Sequence, residues 1–148
     1  MTLINFDGQK VLKKTSLKVN TDPDTSEQLL SWFEEFNHPP LPDITVWWQC
    51  QTVLKEGFDN VVEYAHQHLP RETPIEIEVI RFTQAIEIRI WDYGAPFDLA
   101  QKLEEVPRLE DNDEDHGRGL RIMQRIADYL SYDRTDDNRN CLLIVKKY

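Results

Sequence analysis

From Pro74 to Asp92 the chain alternates with a period of two: Ile75, Ile77 and Val79 with Glu76 and Glu78, then Ile86, Ile88 and Ile90 with Glu87 and Arg89. Strand side chains project to opposite faces in turn, so each run presents one apolar and one charged face. The Thr83-Gln84 region is the turn between them, although it lacks the Asn-Gly or Asp-Gly signature of the tightest hairpins. Such a pair is antiparallel and has to be covered on one side only. The rest of the chain must supply that cover or extend that sheet.

The cover is helical. Thr25-Ser26-Glu27-Gln28 reads as a capping box opening a short helix with Leu29, Leu30, Trp32, Phe33 and Phe36. The stiff loop His38–Asp43, with three prolines, leads into a long helix from about Thr45 to Leu69, ended by Pro70. At about 100° per residue, Trp47, Leu54, Phe58, Val61, Ala65 and Leu69 share one side of that helix. Glu56, Asn60, Glu63 and Gln67 share the other. A polar helix face is ordinarily a solvated surface, but this one is acid–amide–acid rather than mixed Glu/Lys.

Further strands are expected at Val11–Val19, around Leu130–Arg134 and at Cys141–Lys147. No pattern persists from Tyr93 to His116, where Glu110–Asp115 is an acidic run. Gly117-Arg118-Gly119 opens a third helix carrying Leu120, Ile122, Met123, Ile126, Ala127 and Leu130. The order β-α-α-β-β-lid-α-β-β predicts an α+β two-layer sandwich, helices on one face of a mixed, mainly antiparallel sheet.

At 148 residues one domain is expected, large enough to bury a core. The net charge of −10, from 27 acidic and 17 basic residues, disfavours direct nucleic-acid or anionic-membrane binding. Met1 to Lys10 lacks an apolar run, and no stretch has the length of a membrane span, so a cytoplasmic protein is expected. Cys50 and Cys141 make neither a disulfide framework nor a zinc site. Core packing or surface placement accounts for the four histidines and for Trp47-Trp48.

Three segments carry possible chemistry: the Glu56/Asn60 helix face, Trp91-Asp92-Tyr93-Gly94-Ala95-Pro96-Phe97, and His116-Gly117-Arg118-Gly119-Leu120. Singly, each has a structural reading as a solvated face, a turn or a helix cap. Together they describe a nucleotide site. A helix start preceded by glycines offers N–H groups and a positive dipole end to phosphate. Asn60 offers a neutral oxygen to Mg²⁺, Glu56 a general base one turn earlier, and Asp92 an acceptor for an exocyclic amine.

Glu-x-x-x-Asn, Asp-x-Gly-x-Pro-Phe and Gly-x-Gly-Leu, in this order and spacing, resemble the asparagine box and the two glycine boxes of the GHKL ATPase/kinase superfamily. The resemblance covers roughly Thr45 to Tyr148, and the element order fits the Bergerat, or histidine-kinase-like ATPase, fold over the whole chain. Residues 1–148 thus read as a single histidine-kinase-like ATPase domain with a flexible ATP lid at about 95–116. As a stand-alone domain it looks most like the bacterial anti-sigma-factor serine/threonine kinases.

That resemblance implies ATP and Mg²⁺ as cofactors and a STAS-type anti-sigma-factor antagonist as the phosphorylated partner. It also implies a sigma factor controlled by partner switching, and a homodimer. Position by position it implies Glu56 as general base, Asn60 as Mg²⁺ ligand, Tyr64 beside the nucleoside and Asp92 on adenine. Gly94, Pro96 and Phe97 would shape the adenine rim, and Gly117, Arg118, Gly119 and Leu120 the phosphate turn. Cys141 stands where relatives often carry a Thr near adenine, and Asp115 and His116 where many carry a basic lid residue. Those departures leave open a second reading, an ATP-responsive protein-binding switch with little or no kinase turnover. Glu63 and Gln67 gain no role from the resemblance and are expected to face solvent.

Overall fold

The alternating hairpin lies at the centre of the sheet in the computed structural model, which describes residues 8–105 and 118–148. β2 (Pro74–Phe82) and β3 (Ala85–Asp92) pair antiparallel, with Ile77 opposite Ile90 and Val79 opposite Ile88. β1 (Val11–Asn20) lies on the outer side of β2, while β5 (Asn140–Lys147) pairs with β3 and β4 (Tyr129–Arg134) forms the far edge. The order is β1-β2-β3-β5-β4, and each neighbouring pair is antiparallel, so the sheet is not mixed among the described residues. The excursion between β1 and β2 explains this. It returns the chain to the end where β1 finished, placing Pro74 opposite Asn20.

The helices are α1 (Ser26–Phe33), α2 (Ile44–Asn60), α3 (Leu99–Glu105) and α4 (Arg118–Ile126). Phe33, Trp47, Leu54 and Phe58 pack in one core with Ile75, Ile77, Ile88, Ile90, Leu142 and Ile144 from the sheet. Phe33 and Trp47 stack at 4.6 Å between ring centroids. Each large apolar side chain buried in this way stabilises the fold by about 1.5–3 kcal/mol. The other sheet face is charged, with Lys14–Glu78 at 3.6 Å, Arg89–Glu87 at 3.1 Å and Arg139–Glu76 at 3.2 Å. The period-two pattern thus separates the helix-covered core from a charged face, although the row Ile80, Glu87 and Val145 on that face is also buried.

Local details differ from the sequence reading. Thr25 makes no side-chain cap on α1, because a 3-10 turn, Pro23–Thr25, runs directly into the helix and gives Thr25 helical angles. Asp22 caps instead, accepting from the Asp24 N–H at 2.9 Å, while the Thr25 hydroxyl donates to the Asp22 carbonyl at 2.7 Å. The long helix is shorter than expected: α2 gives way to a single π turn, Val61–Ala65. α3 forms inside the segment that carried no pattern. Among the described residues no helix is long and apolar enough to cross a membrane.

Candidate functional site

The site forms where the end of α2, the end of β3 and the start of α4 meet. α2 packs along α4, and Glu56, Asn60, Arg118, Gly119 and Leu120 together line a polar cleft of about 280 Å³. Gly119 lies hard against Glu56: a Cβ there would stand 2.6 Å from Glu56 Oε2. The absence of a side chain at this position is therefore what lets the carboxylate lie beside the first turn of α4. Asp59 and Glu63 share the cleft wall. Burial, and then the charge of Asp59, raises the Glu56 pKa from its ordinary value, which makes it a stronger proton acceptor.

Beyond Asn60 the π turn sets the geometry. A π turn takes in more residues than an α turn and rotates the following chain. It brings Ala65 against the bend after β3, where a Cβ on Gly94 would meet the Ala65 carbonyl oxygen at 2.7 Å. A second, mainly apolar cavity of about 400 Å³ opens here, lined among others by Ala65, Leu69, Tyr93, Gly94 and Phe97. Lys102 of α3 also lines it, as does Gln67, while Glu63 lines the polar cleft. Both of those acid/amide residues are exposed, yet they wall the cavities rather than a featureless surface. Asn60, Tyr64 and Leu120 line both spaces, so the two adjoin. The larger falls within the size range of small-molecule sites.

Asp92 does not itself line either cavity and is 2% exposed. Its Oδ1 accepts from the Gly94 N–H at 2.8 Å and from Asn140 Nδ2 at 2.9 Å, and its Oδ2 accepts from the Tyr132 hydroxyl at 2.9 Å. Asn140 also donates to the Gly94 carbonyl at 2.9 Å. Strand register places Asn140 opposite Asp92 and Cys141 opposite Trp91. Cys141 therefore points to the other face of the sheet, toward Arg89 and Arg139, and burial pushes its thiol up to about 11. Asn140, one position earlier, is the residue that reaches the Asp92 corner.

His66 ties this corner together. Thr21 Oγ1 donates to the Thr73 carbonyl at 2.6 Å and so accepts from His66 Nδ1 at 2.8 Å. Nε2 is then the free acceptor, and it takes the Tyr93 N–H at 2.8 Å. These partners fix a neutral ring with the proton on Nδ1. Burial lowers the His66 pKa, against the opposing charge of Asp92.

Of the residues singled out in the sequence, Glu56, Asn60, Tyr64, Gly94, Phe97, Arg118, Gly119 and Leu120 all line the joined cavities. Pro96 is exposed between Ala95 and Phe97, which both line the apolar space. Gly117, Asp115, His116 and the acidic run Glu110–Asp115 lie outside the described residues, as does the lid beyond residue 105. Sequence reasoning did not single out Tyr132, Asn140 or Lys102, and it placed His66 only among the histidines accounted for by core packing or surface placement. The available signal was strand alternation, which puts Tyr132 and Asn140 on the helix-covered face with Leu130, Leu142 and Asp92.

Among the described residues no group of three or more His, Cys, Asp or Glu side chains converges to hold a metal ion unaided. The cleft does offer a carboxamide oxygen, Asn60, beside Glu56, Asp59 and Glu63. An all-oxygen, partly protein-derived set suits Mg²⁺, which keeps several waters and shares its coordination with phosphates.

A family model described as the histidine kinase-like ATPase domain matches residues 19–146. No curated protein matches the chain. Among solved structures, a chain from the crystal structure of the SiaB-SiaC complex from Pseudomonas aeruginosa is similar, with a TM-score of 0.66 and 12% sequence identity. The match covers 95% of this chain and 92% of that one. At this identity the likeness concerns the fold.

Proposed function

The chain belongs to the family of histidine kinase-like ATPase domains, and from that premise we propose a Mg²⁺- and ATP-dependent serine/threonine protein kinase of the anti-sigma-factor type. It phosphorylates a STAS-domain antagonist and regulates a sigma factor by partner switching, working as a homodimer. The observation that carries the reading is the junction at Asn60, Tyr64 and Leu120, where an apolar cavity continues into a polar cleft. A nucleoside and its phosphates need that sequence of surfaces. The similar solved chain comes from a complex of two proteins, which supports a protein partner.

In this reading the base enters between the π turn and the Gly94 bend, with Phe97 as its outer wall. The triphosphate runs past Asn60 toward the first turn of α4, where main-chain N–H groups and the helix dipole favour its charge. Arg118 and Lys102 add positive charge at the cleft and at the apolar cavity. Asn60 would hold Mg²⁺, with Glu56, Asp59 and Glu63 lining the same cleft; the metal would supply charge neutralisation on the phosphates. Glu56 accepts the proton of the incoming serine hydroxyl and orients it for attack. Its raised pKa suits that task.

The test is transfer of label from γ-labelled ATP to a cognate STAS protein. Wild type is expected to label a serine, and Glu56→Ala to slow transfer by roughly 10²–10⁴-fold. Transfer undiminished in Glu56→Ala would sink the assigned role of that carboxylate.

A further inference from the structure

Asp92 has about four acceptor positions on its carboxylate. Two on Oδ1 are taken by the Gly94 N–H and Asn140, one on Oδ2 by the Tyr132 hydroxyl, and the fourth opens on neither cavity while Tyr132 is in place, since Asp92 lines neither. Gly94 donates from the main chain and Asn140 is also tied to the Gly94 carbonyl, so neither partner can leave without moving the bend. Tyr132 differs. It stands on the edge strand β4, and its ring stacks on Phe97, centroids 4.4 Å apart and planes 20° from parallel. Phe97 in turn lines the apolar cavity. Tyr132 also lines a separate open groove of about 570 Å³ with Leu99, Leu103 and Leu130, which gives the ring room to turn.

We propose that the Tyr132 hydroxyl competes with the exocyclic amine of an incoming purine for Asp92 Oδ2, so that Tyr132 sets how strongly the site selects adenine; this rests on the nucleotide reading of the cavities. When an amine arrives, Tyr132 releases Asp92 and moves toward the groove, and one hydrogen bond replaces another. When the base has no amine, Tyr132 stays and keeps the buried acceptor satisfied. Burial and the Asp92 charge keep the hydroxyl protonated and therefore a donor. Sites that leave a buried partner unpaired reject the deficient ligand by about 10⁴–10⁵-fold. Here that penalty is cancelled by the protein's own side chain.

The experiment is calorimetric titration of the full chain with Mg·ATP and with the Mg-bound triphosphate of unsubstituted purine riboside, which lacks the amine. Wild type is expected to prefer ATP by less than about tenfold. Tyr132→Phe, shown to be folded by circular dichroism, is expected to widen that preference by at least about tenfold, the value of one hydrogen bond to a charged acceptor. An unchanged ratio in Tyr132→Phe overturns the inference, and so does a wild-type preference of tenfold or more. Either result leaves the nucleotide reading standing, because ATP still binds. If Tyr132→Phe does not fold, the wild-type ratio decides alone. Failure of wild type to bind either triphosphate overturns the nucleotide reading and this inference with it.

Discussion

Between Glu56 and residue 119 there is no space for a methyl group, since a Cβ would lie 2.6 Å from Glu56 Oε2. The obstructed atom is the end of a flexible side chain, not main chain, so Gly119→Ala can be accommodated by turning Glu56 away. The expected outcome is a loss of phosphotransfer of about 10–100-fold with a melting temperature within roughly 2 °C of wild type. Steady-state kinetics and calorimetry on the same sample check it. Glu56 itself carries a stability cost. Its pKa is raised above 4.5 in the native protein, so above that pH the unfolded chain has released a proton that the native state still holds. Stability therefore falls as pH rises across that interval. Glu56→Gln removes the ionisable group, and at pH 8 it should melt roughly 1–3 °C above wild type while losing phosphotransfer. A melting point below wild type at that pH would contradict the burial argument.

His66 acts at the scale of elements, joining the end of β1 through Thr21, the π turn on which it follows, and the end of β3 through Tyr93. The charged group facing it is Asp92, which favours the proton, but burial outweighs this and lowers the pKa from 6.5. Below 6.5 the unfolded chain takes up a proton that the native ring refuses, because a proton on Nε2 would confront the Tyr93 N–H. The contribution is therefore full above that pH and is lost as pH falls toward the lowered native value. His66→Gln should be less stable at pH 8 by about 1–3 kcal/mol and show a shallower decline between pH 6.5 and 5. Urea denaturation across that range checks both. The same elements show what the sequence could convey. The β2–β3 hairpin was readable because five isoleucines and a valine alternate with charges, and one face had to be buried. The π turn was not, because Val61–Ala65 continues an apolar helical stripe and only the closeness of Gly94 and Ala65 reveals the altered winding. α3 was not, because Leu99 and Leu103 are a single pair of apolar residues one turn apart. The capping box at Thr25 misled because Asp22-Pro23 starts its own 3-10 turn, which moves the cap three residues upstream. Glu56, Asn60 and Gly119 were legible through their spacing. Tyr132 and Asn140 act through pairing across strands far apart in the chain.

The whole molecule carries a net charge of −10, yet the proposed ligand is itself a polyanion. The polar cleft sharpens the difficulty, since Glu56, Asp59 and Glu63 all line it. Arg118, Lys102 and the start of α4 supply positive character, but three carboxylates around one small space would repel a bare triphosphate. A divalent cation at Asn60 reverses that balance. The binding surfaces come from α2 and the π turn, from the β3–α3 segment and from α4, which are brought together only by folding. A ligand gripping all three binds the native state and not the unfolded chain, and so stabilises by mass action. At a free concentration of about 100 times its dissociation constant the gain is about 2.7 kcal/mol. A domain of this size gains about 2–4 °C per kcal/mol. Mg·ATP at that concentration should thus raise the melting temperature by roughly 5–10 °C. The same ATP with excess EDTA should give less than half that rise, because the carboxylates then face the phosphates without the cation. Asn60→Ala should bring the two conditions together by lowering the Mg·ATP value. Differential scanning calorimetry of both proteins in both buffers makes the comparison. Equal rises with and without Mg²⁺ in wild type would remove Asn60 from the role of metal ligand.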